Sequence, residues 1–216
     1  MHKIVLATGN PHKVDELRAI FASRGVHSVE FVGLAAAAPH RALEEPHESG
    51  PTFEENATIK ALSYARQTGL PCLADDSGLE IDVLGGKPGV ISSHYCTDGQ
   101  DVGMPREQRD HANNRKVLMQ LEEVPELRRA ARFVCVMVLA HEGRVLATAR
   151  GTFEGRIGRP PAVPRGQNGF GYDPLFLVAP DFTRTSAELS PGEKNAISHR
   201  AKAAAAMAER IRAIVA

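Results

Sequence analysis

The chain has 216 residues, enough for one well-buried domain or one domain in two lobes. Its 26 Lys and Arg balance its 26 Asp and Glu, so no global field draws it to nucleic acid or an anionic membrane, and any phosphate affinity must come from a local site. Hydrophobic content of 43% and charged content of 24% are ordinary for a soluble globular protein, and three cysteines without a CxxC pair make neither a disulfide framework nor a metal knuckle.

Cys72, Cys96 and Cys135 read as small buried hydrophobes in a reducing cytosol. The apolar run in MHKIVLATGN is too short for a signal peptide, no stretch is long enough to span a bilayer, and no repeat is visible. A cytoplasmic protein is the expectation.

KIVLAT, residues 3 to 8, is a short β-rich run that predicts a buried strand. Gly9-Asn10 ends it. Asn10 suits an N-cap and Pro11 the first helical position, with Val14, Leu17, Ile20 and Phe21 on the core face of a helix to about Ser23. A strand, a Gly turn and a helix N-terminus present free backbone N–H groups to an anion. Lys13 lies in the first helical turn, where a cation costs roughly 0.3–1 kcal/mol against the helix dipole, a sign that a bound polyphosphate would reverse. The ordinary alternative is a solvated lysine. GxxxxGK[ST] is absent, so this is no P-loop.

Residues 28 to 34 predict a second strand, and AAAAPHRALEEPHESGP a loop broken by Pro39, Pro46 and Pro51. Thr52-Phe53-Glu54-Glu55 is a capping box opening a helix to about Thr68. Asn56 and Lys60 are four apart on one face of it, ordinarily a solvent stripe, with Lys60 a candidate phosphate contact. LPCLA reads as a strand ending at Asp75-Asp76-Ser77-Gly78. Adjacent side chains of an extended segment point to opposite faces, so only one of these carboxylates can face a given cleft. A carboxylate there can hold Mg²⁺ or orient a water; the structural alternative is an Asp turn closing a hairpin into LEIDVL.

Residues 85 to 103 read as a Gly-rich loop and 106 to 123 as a helix with Val117, Leu118 and Leu121 inward. RFVCVMVLA is a continuously apolar strand, HEGR its turn and VLATARGTFEG its hairpin partner. A basic, Pro-rich loop, 156 to 168, follows. Gly169-Phe170-Gly171-Tyr172-Asp173-Pro174 then sets two aromatic rings among glycines beside a carboxylate, a stacking surface for a flat base. Ser190-Pro191-Gly192-Glu193 is another capping box, and the helix it opens carries Lys194, Ser198, His199 and Arg200 in its first turns. The chain closes on an Ala-rich helix with Ile211 and Ile214 on its core face. Crossover and hairpin signals together predict an α/β chain, a mixed β-sheet with flanking helices.

TGNPHK, TFEENA with Lys60 beyond it, ADDSGLEIDVLGGKPG, GFGYDP and EKNAISHR occur here in one order, and together they closely resemble the Ham1-like family of inosine/xanthosine triphosphate pyrophosphatases. The resemblance covers nearly the whole chain. It implies one domain, residues 1–216, in two lobes: an elongated mixed sheet with helices around a nucleotide cleft, as a homodimer. It implies Mg²⁺-dependent hydrolysis of ITP, dITP or XTP to the monophosphate plus pyrophosphate. Thr8, Gly9, Asn10, Pro11, His12 and Lys13 would bind the triphosphate, with Lys60 a further contact. Asp76 would be general base and metal ligand, and Ser77 a substrate contact. Phe170, Gly171, Tyr172 and Asp173 would hold the nucleoside, and Lys194, His199 and Arg200 would complete the base pocket. Where many relatives carry an acidic pair, this chain has His47-Glu48, leaving Glu48 as the candidate second metal ligand. Where relatives often read YSARY, it reads ISSHY, with His94 in the arginine's place and a structural role its ordinary reading. Rival readings are a pyrophosphatase for other modified or standard nucleotides and a nucleotide-binding module without turnover. A nucleic-acid binder is disfavoured by the zero net charge and the lack of a binding motif.

Overall fold

The computed structural model describes residues 2–8 and 11–215. Gly9 and Asn10, placed by the sequence at the turn into the first helix, lie outside the described residues. β1 (His2–Leu6) leads through α1 (Pro11–Ser23) to β2 (Val29–Gly33), which pairs parallel to β1 from His2↔Val29 to Leu6↔Gly33. Val14, Leu17 and Phe21 are buried on the inner face of α1, the expected helical period. A single turn, α2 (Leu34–Ala37), stands where a loop was expected. Leucine and three alanines favour helix locally, and the first breaker comes only at Pro39.

α3 (Phe53–Thr68) starts on the expected box: Thr52 Oγ1 accepts from Glu55 N at 3.2 Å, and Glu55 Oε2 accepts from Thr52 N at 3.3 Å. β3 (Cys72–Ile81) corrects the hairpin reading, because it runs unbroken through Asp75-Asp76-Ser77-Gly78. Residues on both sides of that polar segment are buried, Leu73 and Ala74 before it and Leu79 and Ile81 after it, and Leu79 N donates to Ser92 Oγ at 2.9 Å. With core on both flanks, nothing favours a turn between them. Asp82–Leu84 forms a 3₁₀ turn that ends the LEIDVL segment, and Gly89–Thr97 forms further 3₁₀ turns within the stretch read as a loop.

α4 (Arg106–Gln120) precedes β4 (Ala130–His141), whose residues Phe133 to Ala140 are all buried. Glu142 and Gly143, with φ of 49° and 74°, make the tight turn into β5 (Arg144–Ile157). β6 (Phe176–Val178) pairs antiparallel to β5. The sheet order is β2-β1-β3-β4-β5-β6, with β1 parallel to both β2 and β3, so the sheet is mixed and helices flank it.

Two helices replace the one expected from Ser190. α5 (Pro191–Ile197) stops at Ser198, whose backbone is extended at φ −66°, ψ 160°, and α6 (His199–Val215) starts afresh. Serine is a favoured residue just before a helix, and no Gly or Pro marks the break in the sequence. On α6 the core face runs through Ala204, Met207, Ala208 and Ile211 to a partly buried Val215. Ile214, expected on that face, is exposed, because the stripe advances from Ile211 by four residues rather than three. Cys72 and Cys135 are buried as expected, whereas Cys96 is only partly so.

The chain divides into two compact units. The first comprises residues 1–77, 135–151 and 199–216, the second 78–134 and 152–198. The first has its main core where α1 and α6 meet β1, β2 and β4 around Leu6, Phe21, Met137 and Met207. The core of the second gathers Leu79, Ile81, Val117, Phe133, Phe153, Tyr172 and Phe176. No helix among the described residues is long and apolar enough to cross a membrane.

Candidate active site

In the first unit the chemistry is organised by the alternation of β3. Asp75 and Asp76 are adjacent, and their side chains find different partners. Asp75 Oδ2 lies 3.4 Å from Lys13 Nζ and 3.8 Å from Arg200 Nε. Asp76 Oδ1 lies 2.9 Å from Lys60 Nζ, which also lies 2.9 Å from Glu48 Oε2. Each carboxylate therefore serves its own cluster, as opposite faces of an extended segment require.

Local features deliver each partner. α1 brings Lys13 in its first turn. α3 brings Lys60, and Asn56 one turn earlier is 3% exposed, with Oδ1 accepting from Gly50 N at 2.7 Å. That bond ties the segment carrying Glu48 to α3. The polar stripe of α3 is thus buried at Asn56 and partly covered at Lys60 rather than a solvated face. Arg200 comes from the first turn of α6, which lies hard against β5 at Gly151. A Cβ there would sit 2.3 Å from His199 O and 2.4 Å from Ala203 N, so only glycine admits the helix.

The pKa values of the two carboxylates are displaced in opposite directions. Burial alone would raise Asp75, but Lys13, Arg200 and Lys60 outweigh it and hold the carboxyl at about 2. Burial pushes Asp76 up to about 6; Lys60 opposes the rise and the Glu48 carboxylate adds to it. Burial would also lower Lys60, yet Asp76 and Glu48 raise it, so it stays protonated between them. Asp76 Oδ2 is buried and accepts no hydrogen bond among the described residues.

In the second unit the Gly169–Asp173 segment is a built loop. Asp173 is 3% exposed; its Oδ1 accepts from Ser186 Oγ at 2.7 Å, and its Oδ2 from Phe170 N at 2.9 Å and Lys194 Nζ at 2.5 Å. A Cβ on Gly169 would meet Asp173 Oδ2 at 2.1 Å, and its φ of 80° is strained for any other residue. Tyr172 is buried, its hydroxyl donating to Ser92 O at 2.7 Å, and burial pushes the phenol up. Phe170 is 55% exposed. Of the two rings read from the sequence, Phe170 alone presents an open face.

Among the remaining candidates, Thr8 follows β1, Pro11 and His12 are the first residues of α1, Ser77 continues β3, and His199 opens α6 beside Arg200. The sequence motifs single out no role for Asp75, although two cations at candidate positions, Lys13 and Arg200, call for an anion. His94 sits in a local cluster, with Nδ1 2.9 Å from Ser93 Oγ and Nε2 3.0 Å from Arg109 Nη1.

Comparison with known proteins identifies the family. The family model described as the Ham1 family matches residues 4–210. A protein of Frankia alni named dITP/XTP pyrophosphatase is 47% identical, over 99% of this chain and 98% of its own. One of Bacillus licheniformis with the same name is 44% identical, over 94% of each. The solved structure of a HAM1 protein from Coxiella burnetii superposes with a TM-score of 0.83 at 39% identity, covering 99% of this chain and all of the other. A nucleoside-triphosphatase / dITP/XTP pyrophosphatase from Mycobacterium abscessus gives 0.75 at 43% identity, covering 95% and 97%. With the strand-borne carboxylate pair, its cations and the glycine-framed aromatic loop all carried on a chain matched from Ile4 to Arg210, this protein belongs to the Ham1 family.

Proposed function

We propose that this protein hydrolyses non-standard purine nucleoside triphosphates, ITP, dITP and XTP, to the monophosphate plus pyrophosphate, and so removes them from the nucleotide pool. The relatives' shared name supports the reaction. The observation that carries the mechanism is the split of Asp75 and Asp76, one clamped as an anion at about 2 and the other lifted to about 6. Environments that push paired titratable groups apart assign them different roles.

Asp76 is the general base. Its buried, unpartnered Oδ2 takes a proton from the attacking water as the bridge between α and β phosphorus breaks and pyrophosphate leaves. Lys60 fixes the other oxygen of Asp76 and stays charged beside the transferring group. Lys13 meets phosphate oxygen in place of the Asp75 carboxylate that now faces it. Glu48 and Asp76 fit a Mg²⁺ site: two hard carboxylate donors on one lysine, one with an open oxygen, suit a cation that takes one or two protein carboxylates and fills the rest with water and phosphate. When bound, such an ion would neutralise the crowded phosphate oxygens. Thr8, Gly9, Asn10, Pro11 and His12 are assigned to the triphosphate, Ser77 to a substrate contact, and Phe170 to stacking on the purine. Gly171, Tyr172, Asp173, Lys194 and His199 are assigned to the nucleoside side. A cytoplasmic homodimer of single-domain chains completes the proposal.

A nucleotide panel with and without Mg²⁺, with products identified, tests it. The expected result is monophosphate and pyrophosphate from dITP, ITP and XTP, with little from dATP. Diphosphate plus phosphate, or tight binding without turnover, would overturn it. Arg200 is assigned to reading the purine 6-position. A guanidinium has donors only, so a 6-oxo group pairs with it and the 6-amino group of adenine does not. Arg200→Ala is expected to narrow the dITP over dATP ratio of kcat/KM by about tenfold or more. An unchanged ratio would remove Arg200 from that role.

A further inference from the structure

Phe170 is too exposed for packing to fix its ring, and the next residue, Gly171, has a φ of 62° with nothing crowding it. A half-exposed ring beside a free-turning glycine has a defined direction only if hydrogen bonds hold the backbone. They come from α4. Gly171 N donates to Asp110 Oδ2 at 3.0 Å, and Asn114 Nδ2 donates to Gly171 O, also at 3.0 Å. The two faces of one residue's backbone are thus gripped by side chains four apart on one helix. Four residues before Asp110, the Arg106 guanidinium lies 4.4 Å from the centroid of the Phe170 ring, with its Nε 3.9 Å from Asp110 Oδ2. Residues 106, 110 and 114 form one stripe of α4, since every fourth residue returns to the same face. All three border, with Phe170 and Gly171, a cleft of about 620 Å³. Asn113, on the adjoining face, donates to Ser92 O and Ser93 O and accepts from Cys96 N, which seats the helix against the segment that also receives Tyr172.

We propose that Arg106, Asp110 and Asn114 are positioning residues for Phe170: Asp110 and Asn114 hold the Gly171 backbone, Arg106 stacks on the ring, and α4 thereby sets the direction in which Phe170 meets a purine. The proposal rests on the reading of Phe170 as a stacking face. It makes α4 a determinant of nucleotide affinity although none of the three residues need touch the nucleotide.

The chain contains no tryptophan, so Phe170→Trp places a single reporter on the ring position. In that background, with no nucleotide present, Asp110→Ala and Asn114→Ala are each expected to lower emission anisotropy and to raise acrylamide quenching by about twofold, as one hydrogen bond of the loop is lost. In the Phe170 parent, the same variants are expected to raise KM for dITP by about five- to tenfold with kcat within about twofold, the pattern of lost binding rather than lost chemistry. Asp110→Asn, which keeps an acceptor for Gly171 N, is expected to restore KM to within about twofold of the parent. Unchanged anisotropy in Asn114→Ala and Asp110→Ala would overturn the proposal, as would a KM rise that the conservative variant fails to rescue. Should Asp110→Ala fail to fold, Asn114→Ala decides alone, because it breaks the other bond to the same residue. Loosened emission together with a parent that hydrolyses no nucleotide would leave the positioning role standing and the functional reading refuted.

Discussion

Asp76→Asn is expected to lower kcat for dITP by about a thousandfold and, at neutral pH, to leave the protein more stable than the parent. The first effect follows from losing the proton acceptor, since a positioned general base contributes on the order of 10²–10⁴ in rate. The second follows from the sign of the shift. Asp76 is raised to about 6 in the folded state, against about 3.9 unfolded, so its ionised form costs folding free energy at pH 7. The cost is absent below about pH 4, grows between about pH 4 and 6, and is complete above that; two units correspond to about 3 kcal/mol. Asn keeps the shape, carries no charge, and can still accept from Lys60, which retains Glu48. For a chain of this length that is a rise in Tm of about 6–12 °C. In the parent, kcat/KM should also climb with pH on its acid side as Asp76 ionises, a limb the variant lacks; bound Mg²⁺ would move that limb below about 6 by favouring the carboxylate. Near-normal kcat would mean that another group activates the water. Lower stability at pH 7 would mean that Asp76 is held by its neighbours rather than strained by burial.

The features legible in the sequence were those written in short windows. The capping boxes at Thr52 and Ser190 need only four residues each, and both form as read. The apolar run of β4 and the Glu142-Gly143 turn are equally local. The motifs carry the family because their order is specific even where each is weak. What was not legible depends on distance along the chain. Asp75 and Asp76 are chemically identical neighbours, and nothing in ADDSG says which meets Lys13 and Arg200 and which meets Lys60. Asn56 looked like part of a solvated stripe because its burial comes from Gly50 closing over it. The stripe of Arg106, Asp110 and Asn114 has helical spacing visible in the sequence, but its partner Gly171 lies 57 residues beyond Asn114. The break at Ser198 carries no glycine or proline, and there it is the seating of α6 on Gly151 that accompanies the fresh start at His199.

Asp75→Asn is expected to act on stability in the opposite direction from its neighbour. Asp75 is held at about 2 by Lys13, Arg200 and Lys60 despite its burial. A carboxyl depressed from about 3.9 to that value contributes about 2–3 kcal/mol of stability, fully present above about pH 4 and lost as pH falls toward 2. Removing the charge while Lys13 and Arg200 remain leaves two half-buried or buried cations without their shared anion, the costly way to break an ion pair. At pH 7 the variant is therefore expected to melt about 5–10 °C below the parent. Between pH 4 and 2 the parent should lose stability more steeply, so the two curves converge in acid. A triphosphate offers Lys13 a replacement anion, so saturating dITP in the absence of added metal should restore more Tm to the variant than it adds to the parent. Parallel melting curves across that pH range would show that Asp75 is not the anion on which Lys13 and Arg200 depend. Equal stabilisation of both proteins by dITP would separate the structural pairing of Lys13 from the binding of phosphate. The paired measurement on Asp76→Asn and Asp75→Asn is decisive because size, chemistry and position along β3 are matched, and only the face of the strand differs.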